Sequence, residues 1–407
     1  MAEGQALRSH GNHASFPSRL RCQFLPREGR DENRSLSLNS FHVSGTSPTR
    51  CRIGILGFGT VGSAVARRLL APVHGLLLTH ICDRRAGEKR TRWGPPSAAP
   101  TNWTDRFDDL LASDVDVIVE SMGGIEPASA CIRAALCAGK SVVTANKQVI
   151  AADGPSLLAL AARQGRQLRF EAAVGGAMPI VRALGEGLAG DRVTAIAAIL
   201  NGTTNAVLSR MEAAGCSLES ALADARDRGY AEADPSMDLD GLDARAKLAI
   251  LCAQAFSLRV NPDAIETRST RSITPADIER VRRAGGSVRQ VAYAAYDRKS
   301  CTLTASVAPQ IVPRHSLFAR TTGPRNAAVI SGEFAGDVEI SGTGAGGDAT
   351  AVAILGDLLT IARDRAAIVP APVLSVPRTV RGLGIWNSEF AFQIPNSEFR
   401  IQEVEAV

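Results

Sequence analysis

An acidic loop and the helix after it carry the residues of this chain that are best suited to chemistry. The loop spans residues 229–241, and the helix is predicted to start near Leu242. On that helix Asp243 and Lys247 stand four residues apart and therefore share one face. Such a concentration of charge predicts a pocket for a cationic or amphoteric ligand. Its five carboxylates and one lysine are Glu232, Asp234, Asp238, Asp240, Asp243 and Lys247.

A simpler interpretation of the same residues stays open at this point. Asp243 and Lys247 could form an exposed helix pair, which contributes about 0.2–0.5 kcal/mol. The acids could likewise cap helices from a solvated loop. The elements that position these residues must therefore be found in the rest of the chain.

Composition restricts the class of protein. The 407 residues are enough for two or three domains, and 45% of them are hydrophobic. No apolar run reaches the roughly 18 residues of a membrane span, and a net charge of +5 does not indicate a nucleic-acid surface. The eight cysteines are scattered, with no CxxC pair and no histidine at metal spacing. This usage is typical of a reducing, cytoplasmic location.

Both ends of the sequence differ from its centre. Residues 1–50 are rich in Arg, Ser, Asn and His, lack an apolar signal segment, and are predicted to be a disordered extension. Residues 366–407 contain Pro370, Pro372 and Pro377 and a repeated Asn-Ser-Glu-Phe, which predicts a low-complexity tail.

A glycine-rich turn joins the first predicted strand, residues 52–56, to a helix. Gly57 permits the tight turn, Gly59 lets a pyrophosphate approach the backbone, and Gly62 lets the helix pack on the strand. Thr60 and Val61 open the helix, whose N-terminus faces the phosphates. This placement predicts a dinucleotide site, although a strand–helix turn without a ligand has the same glycine pattern.

The end of the second predicted strand, residues 76–82, bears on the choice of cofactor. Asp83 follows this strand, and an acid there binds the ribose hydroxyls of NAD. Arg84 and Arg85 come next and could hold the 2′-phosphate of NADP or remain exposed loop charges. The sequence therefore leaves NAD and NADP as alternatives.

Alternating strands and helices continue to residue 174. Ser121 and Met122 follow a strand where a nicotinamide nucleotide would cross the sheet edge, and Lys147 follows the next strand. A helix is predicted from about 154 to 164. The pattern predicts a doubly wound parallel sheet of Rossmann type over residues 51–174. Its later strands are placed at 115–120, 141–144 and 168–174.

A second domain is predicted over residues 175–346. Long β-branched runs alternate with helices there, which favours an α+β domain built on an open sheet. A glycine-rich turn at 342–348 then leads into a helix that is expected to return to the first domain, over residues 347–365. The predicted strands of this domain are 193–200, 302–311, 327–334 and 337–340.

Six segments together resemble the homoserine dehydrogenase family, over residues 51–365. The resemblance implies NAD(P)-dependent interconversion of L-homoserine and L-aspartate 4-semialdehyde, in threonine and methionine biosynthesis. It also implies a homodimer without nucleic-acid or membrane partners. Nothing after Arg365 has the pattern or the length of the ACT domain found in many members. The segments are GFGTVG, TANK ending at Lys147, FEAAVGGAMP, LNGTTN, GYAEADPSMDLDGLDARAK and GTGAGGDATA.

The resemblance implies roles for individual residues. Asp243 and Lys247 match the catalytic pair of the family, and Lys147 matches its other active-site lysine. Glu232 and Asp238 match the positions that hold the amino group and the hydroxyl of the substrate. A lysine beside the developing alkoxide can donate a proton and stabilise the negative charge, which agrees with these roles.

A sodium site is also implied by the resemblance. Glu171, Val174, Gly176 and Met178 match a site where mainly backbone carbonyls bind the ion, and Gly346 matches a backbone contact to the cofactor. One departure is position 237, where Met replaces the second acid of some members. Substrate affinity, rather than the reaction, would change there.

Two alternatives to this activity remain at the level of sequence. One is a dehydrogenase of the same architecture that acts on another amino-acid aldehyde, and the acidic loop is evidence against it. The other is a catalytically silent NAD(P)-binding protein, and the presence of Lys147, Asp243 and Lys247 is evidence against it.

Overall fold

A parallel sheet forms the first half of the chain, in a computed structural model that describes residues 50–70, 73, 75–93, 101–344, 346–364 and 373–383. The strand order within these residues is β3-β2-β1-β4-β5-β6, with every pair parallel. This is the order of a dinucleotide-binding sheet, so the predicted α/β fold class is confirmed. The strands are β1 (Cys51–Leu56), β2 (Leu76–Cys82), β3 (Asn102–Thr104), β4 (Val117–Glu120), β5 (Ser141–Thr144) and β6 (Leu168–Arg169).

Five helices connect these strands. The first begins directly after the glycine-rich turn, and the fifth begins directly after β5, at the edge of the sheet where parallel strands end. The helices are α1 (Thr60–Arg68), α2 (Ala86–Trp93), α3 (Phe107–Ala112), α4 (Ala128–Cys137) and α5 (Lys147–Arg163).

Two expectations for this half are wrong. The helix predicted from about residue 154 begins at Lys147, because the Asn146 side chain accepts a hydrogen bond from Val149 N and caps it. Pro155 lies inside this helix rather than at its start. The strand predicted over 168–174 ends at Arg169, and a 3₁₀ turn over Glu171–Ala173 replaces its second half.

A mixed sheet forms the second half. Its order is β12-β11-β7-β9-β10-β13, and β8 pairs with β10 off this path. The pairs from β12 to β10 are antiparallel, whereas β8 and β13 run parallel to β10. The strands are β7 (Val193–Ile199), β8 (Glu266–Thr267), β9 (Gly286–Asp297), β10 (Thr302–Pro313), β11 (Arg325–Gly332), β12 (Gly336–Thr343) and β13 (Thr379–Arg381).

Helices cover this second sheet and link it to the first. Residues of α10 and of the strands share one buried core that extends to α4 and α5 of the first half. A 3₁₀ turn over Pro262–Ala264 and a π turn over Ala183–Gly187 complete the helical elements described. The α-helices are α6 (Ile180–Arg182), α7 (Gly202–Ala214), α8 (Leu218–Asp227), α9 (Ser236–Leu239), α10 (Leu242–Phe256), α11 (Pro275–Arg283), α12 (Leu317–Arg320) and α13 (Gly347–Arg363).

The last helix lies in the core of the first half. Ile354 and Leu358 of α13 are fully buried together with Ile53 of β1 and Val65 of α1. The first sheet is thus covered by α1, which precedes the second sheet in sequence, and by α13, which follows most of it. Every helix in the described part is too short or too polar for a membrane span.

The predicted low-complexity tail is wrong for residues 373–383. Thr379–Arg381 forms β13 and pairs with β10, and Ser375 forms a bridge with Leu258. Val380 packs against the main core. The rest of that tail, and residues 1–49 of the predicted extension, lie outside the described residues.

Candidate active site

Asp243 is buried at the start of α10, and three side chains meet at its carboxylate. Its Oδ1 lies 2.5 Å from Lys147 Nζ, and its Oδ2 lies 2.7 Å from Lys247 Nζ. Asn201 Nδ2 also donates to Oδ2, at 2.9 Å. Burial raises the pKa of Asp243, but the two ammonium groups outweigh burial and hold it well below its usual range. Asp243 is thus a buried carboxylate with two lysine partners, and the interpretation of Asp243 and Lys247 as an exposed helix pair is wrong for Asp243.

The two lysines reach this carboxylate from different halves of the chain. Lys147 is the first residue of α5 at the edge of the parallel sheet, and its side chain is 39% exposed. Lys247 lies on α10, is 13% exposed, and also donates to Leu200 O at 2.8 Å. Burial lowers the pKa of Lys147, but the charge of Asp243 raises it further, so that the net shift is upward. Both halves therefore contribute to one site.

Two acids of the loop face this cluster. Asp238 is half-buried and accepts a hydrogen bond from Asn201 Nδ2 at 2.6 Å. Burial raises the pKa of Asp238, and the nearby charge of Asp243 adds to this rise. Glu232 is exposed, and its charge acts on Lys147. These two carboxylates are available to an ammonium group of a ligand.

The other two loop acids have structural partners. Asp234 accepts hydrogen bonds from the backbone N and the hydroxyl of Ser236. Asp240 pairs with Arg271 at 2.8 Å and accepts a hydrogen bond from Ser269. The expected pocket of five carboxylates is therefore a pocket of three.

The glycine-rich turn has the geometry that its sequence predicts. Gly57 has φ +95°, and a Cβ there would lie 2.9 Å from the carbonyl carbon of Ser121. A Cβ on Gly62 would lie 2.1 Å from Gly57 O. A Cβ on Gly59, by contrast, would meet nothing within 4 Å. The first and last glycines thus serve the fold, and the middle one faces open space where a ligand can approach.

Two helix N-termini meet beside this turn. Thr60 and Val61 open α1, and Gly346, with φ +114°, precedes α13. A Cβ on Gly347 would lie 2.9 Å from Thr60 O, so the start of α13 lies directly against the start of α1. Their combined dipoles favour an anion at this place.

The ends of β4 and β5 are joined by an acid to which the sequence analysis assigned no role. Glu120 is fully buried and accepts hydrogen bonds from Met122 N at 2.8 Å and Thr144 Oγ1 at 2.5 Å. Ser121 Oγ donates to Gly57 O at 2.9 Å. These bonds fix the loop of Ser121 and Met122 against the glycine-rich turn.

Asp83 is already engaged by protein groups. Its Oδ2 accepts from Phe58 N at 2.7 Å and from Lys89 Nζ at 2.6 Å, and its Oδ1 accepts from Arg85 N at 2.9 Å. Burial raises the pKa of Asp83, but these hydrogen bonds outweigh burial and lower it. Arg84 is exposed beside it. The carboxylate is therefore not the free ribose ligand that the sequence predicts.

Two family models match the chain. One, described as the NAD binding domain of homoserine dehydrogenase, covers residues 57–171, and one described as homoserine dehydrogenase covers residues 179–359. Together they span more than half of the sequence. The chain belongs to the homoserine dehydrogenase family. It is an NAD(P)-dependent oxidoreductase.

Relatives and solved structures agree with this family. The homoserine dehydrogenase of Mycobacterium tuberculosis is 41% identical over 328 residues, which cover 77% of this chain and 72% of the relative. The crystal structure of a homoserine dehydrogenase from Thiobacillus denitrificans has a TM-score of 0.75 and 31% identity, covering 82% of this chain and 80% of that one. A hyperthermophilic archaeal homoserine dehydrogenase in complex with NADPH has a TM-score of 0.65 and 27% identity, covering 79% and 99%.

Asn201, which was not predicted as a site residue, lies at the centre of the candidate site. Its Oδ1 accepts from Thr204 N at 2.8 Å and caps α7, while its Nδ2 donates to both Asp238 and Asp243. One amide therefore holds two carboxylates beside each other. The available signal was an asparagine between a strand and a helix in the LNGTTN segment, but capping alone explains that pattern.

Glu171 is the first residue of the predicted sodium set. Its carboxylate accepts hydrogen bonds from Val181 N at 3.0 Å and Arg182 N at 2.8 Å. Burial raises the pKa of Glu171 to about 7, and the neighbouring charge of Asp357 contributes to the rise. This carboxylate is engaged at a helix start, so it is not a free ligand for an ion.

The backbone members of the set fit a cation better. Within the described part of the chain, no hydrogen bond reaches the carbonyl oxygens of Val174 and Gly176, whereas Met178 O accepts from Ile180 N at 2.8 Å. Carbonyl oxygens of this kind are suitable ligands for a hard cation. No group of three His, Cys, Asp or Glu among the described residues could hold a metal ion. A site here would therefore depend on the backbone.

Proposed function

We propose that Lys247 moves the proton as the chain interconverts L-homoserine and L-aspartate 4-semialdehyde. Hydride transfer to an aldehyde leaves an alkoxide, which needs a proton donor. An ammonium group has three N–H donors, and Lys247 uses two of them on Asp243 and Leu200. The third can meet the substrate oxygen, where the positive charge also stabilises the oxyanion.

The shared carboxylate of Asp243 is the observation that carries this proposal. It holds Lys147 and Lys247 beside each other in a largely buried site, and its charge raises the pKa of Lys147. Glu232 and Asp238 then offer negative charge to the α-ammonium group of an amino-acid substrate. Lys147 is the more exposed lysine and is the second candidate for the proton donor.

The cofactor is proposed to lie along the carboxyl edge of the first sheet. Its pyrophosphate would meet the backbone at Gly59 and the helix starts at Thr60 and Gly346, and its nicotinamide would lie near Ser121 and Met122. The related archaeal enzyme was solved with NADPH, which supports a nicotinamide cofactor in this chain.

Three further properties are proposed. A sodium ion held by the carbonyls of Val174, Gly176 and Met178 would supply positive charge near the buried Glu171. A homodimer is proposed through β12, an exposed strand that, within the described residues, lies at the edge of the second sheet and offers an unpaired edge to another copy of the chain. The seven cysteines in the described part form no disulfide, which agrees with a cytoplasmic location.

Steady-state kinetics of four proteins test the assignment of the proton donor. Lys247→Ala should lower kcat by roughly 10²–10⁴-fold in both directions, the usual contribution of a positioned acid or base. Glu232→Gln should instead raise KM more than it lowers kcat, because it weakens binding of the substrate ammonium group in the ground state and the transition state alike. Lys147→Ala and the double lysine variant complete the set.

The outcome discriminates between the two lysines. If Lys247→Ala keeps the parent kcat while Lys147→Ala loses it, Lys147 is the donor and the proposal for Lys247 is wrong. If neither variant changes kcat, lysine-assisted proton transfer itself is wrong. Circular dichroism of each variant controls for misfolding.

A further inference from the structure

The end of β2 carries a charge arrangement that differs from a simple ribose-binding acid. Lys89, on α2, donates to Asp83 Oδ2 at 2.6 Å, and the two side chains are 19% and 11% exposed. An acid at this place normally binds the ribose hydroxyls and repels a 2′-phosphate. Here the charge of Asp83 is balanced by Lys89 of α2, six residues further along the chain.

The hydrogen-bonding capacity of Asp83 is nearly exhausted. A carboxylate offers about four lone-pair positions, and three of them accept from Phe58 N, Lys89 Nζ and Arg85 N. One position on Oδ1 remains. Asp83 therefore cannot accept hydrogen bonds from two ribose hydroxyls, one on each oxygen, unless a protein donor is displaced.

Positively charged N–H donors around Asp83, by contrast, remain available to a ligand. Within the described residues, Lys89 uses one of its three N–H groups, on Asp83. Arg84 is exposed and has no ion pair in the described part of the chain. Arg85 lies 4.0 Å from Glu88, whose carboxylate also binds Arg92 at 3.0 Å.

An aromatic cluster holds α2 in position. The Phe58 ring, in the glycine-rich turn, contacts the Trp93 ring at a centroid distance of 4.9 Å and the Trp103 ring at 4.8 Å, both edge-on. Trp93 lies one turn beyond Lys89 on the same helix. The ammonium group is thus presented by a helix that is fixed against the cofactor turn.

We propose that Lys89 binds the 2′-phosphate of NADP(H) and cancels the charge of Asp83, so that the chain prefers NADP(H) to NAD(H). This proposal rests on the proposed function only for the existence of a cofactor site. An ammonium group that is already oriented can form charge-assisted hydrogen bonds to phosphate oxygens. Arg84 supplies a second positive charge at the same edge.

A purely structural role for the same ion pair makes a different prediction. In that case the loss of Lys89 would weaken the binding of all adenine nucleotides together, because the glycine-rich turn would lose its support through Asp83. In our proposal the loss of affinity is confined to ligands with a 2′-phosphate. Ligands without it bind unchanged or tighter, because Asp83 Oδ2 regains one lone-pair position while it still accepts from Phe58 N.

Calorimetric binding of two cofactor fragments separates these cases without any need for turnover. The fragments are adenosine 2′,5′-bisphosphate and 5′-AMP, titrated into the full chain at one low ionic strength. The parent protein should bind the bisphosphate at least about tenfold tighter. Lys89→Ala should lose most of that ratio through weaker bisphosphate binding, and Lys89→Arg should retain it.

Arg90→Ala is the matched control, because Arg90 is an exposed cation of the same helix. It should leave the ratio unchanged. Equal binding of the two fragments by the parent protein overturns the proposal, and so does an equal loss of both in Lys89→Ala. If the fragment ratio holds but homoserine is not oxidised with either cofactor, the 2′-phosphate site stands and the proposed activity is wrong.

Discussion

Replacing Asp243 with Asn tests the arrangement at the centre of the site. The substitution keeps the shape of the side chain and removes the charge that Lys147 and Lys247 share. Two ammonium groups then remain beside each other in a largely buried place, with no carboxylate between them. We expect both activity and stability to fall, for the same electrostatic reason.

The magnitude follows from the burial of the pair. Removing one partner of a buried ion pair costs about 3–5 kcal/mol. Because the Lys147 side chain is 39% exposed, water replaces part of the lost interaction, and the lower end of that range applies. A loss of about 3 kcal/mol in the transition state lowers kcat by about 10²-fold.

The pH dependence has a defined sign. Lys147 has a pKa raised by Asp243 in spite of burial. Without Asp243, burial and the charge of Lys247 remain, so the pKa of Lys147 should fall. If Lys147 takes part in aldehyde reduction, it must be protonated. The alkaline limb of the pH–rate profile for reduction should then move to lower pH in the variant.

Stability gives an independent check on the same carboxylate. Because the pKa of Asp243 in the folded chain is depressed, its contribution is complete above the unfolded value, about 3.9, and is lost as pH falls through the folded value. The variant should therefore be clearly less stable than the parent at pH 7. The difference should shrink in strong acid.

The assays are kcat and kcat/KM against pH in both directions, with urea unfolding at each pH. Asp263→Asn is the matched control. Asp263 pairs with Arg245 of α10, the helix that carries Asp243, but the Asp263 side chain is 77% exposed. It should change neither activity nor stability by more than about 0.5 kcal/mol. An Asp243→Asn protein with parent kcat and parent stability at pH 7 would refute the reasoning.

Three more experiments, with five substitutions, test other parts of the structure. Gly59→Val should abolish nucleotide binding in calorimetry without a change in melting temperature, since its Cβ meets open space, whereas Gly62→Val should prevent folding. Asn201→Ser keeps a capping oxygen but loses the bridge between carboxylates, so KM for homoserine should rise about tenfold; an unchanged KM would contradict the bridge. Val380→Asp should lower the free energy of unfolding by about 1–3 kcal/mol, whereas Val376→Asp, at a 75% exposed position, should not.

The first half of the fold was predictable because its signals are local. The strand over Leu76–Cys82 and the strand over Ser141–Thr144 have the predicted bounds. A glycine pattern between a strand and a helix also fixes the position of the turn. The start of α5 was predicted near residue 154, whereas its actual cap, Asn146, lies eight residues earlier.

The second sheet was harder to predict because its central strand carries buried polar residues. β9 pairs with both β7 and β10 and was not predicted at all. Arg289 interrupts its apolar pattern, although this side chain is 1% exposed and donates to Glu212 and to Ala319 O. Partners so distant in sequence cannot be inferred from a local pattern, so the strand was missed.

The candidate site was predictable in its residue types and not in its connections. Four-residue spacing placed Asp243 and Lys247 together, and the structure has them in contact. The role of Asn201 and the engagement of Asp83 by Lys89 depend on pairs that only the folded chain brings together. The same holds for β13, whose three residues pair with β10.

The contact between α13 and α1 has a consequence for the order of synthesis. A ribosome produces the six parallel strands before it begins the second sheet, yet Ile354 and Leu358 complete the core around Ile53. Until residue 363 has emerged, one side of α1 has no covering helix and the second N-terminus beside the glycine-rich turn is missing. The nascent chain should therefore gain affinity for its cofactor only after α13 has emerged, when the second sheet has had time to fold.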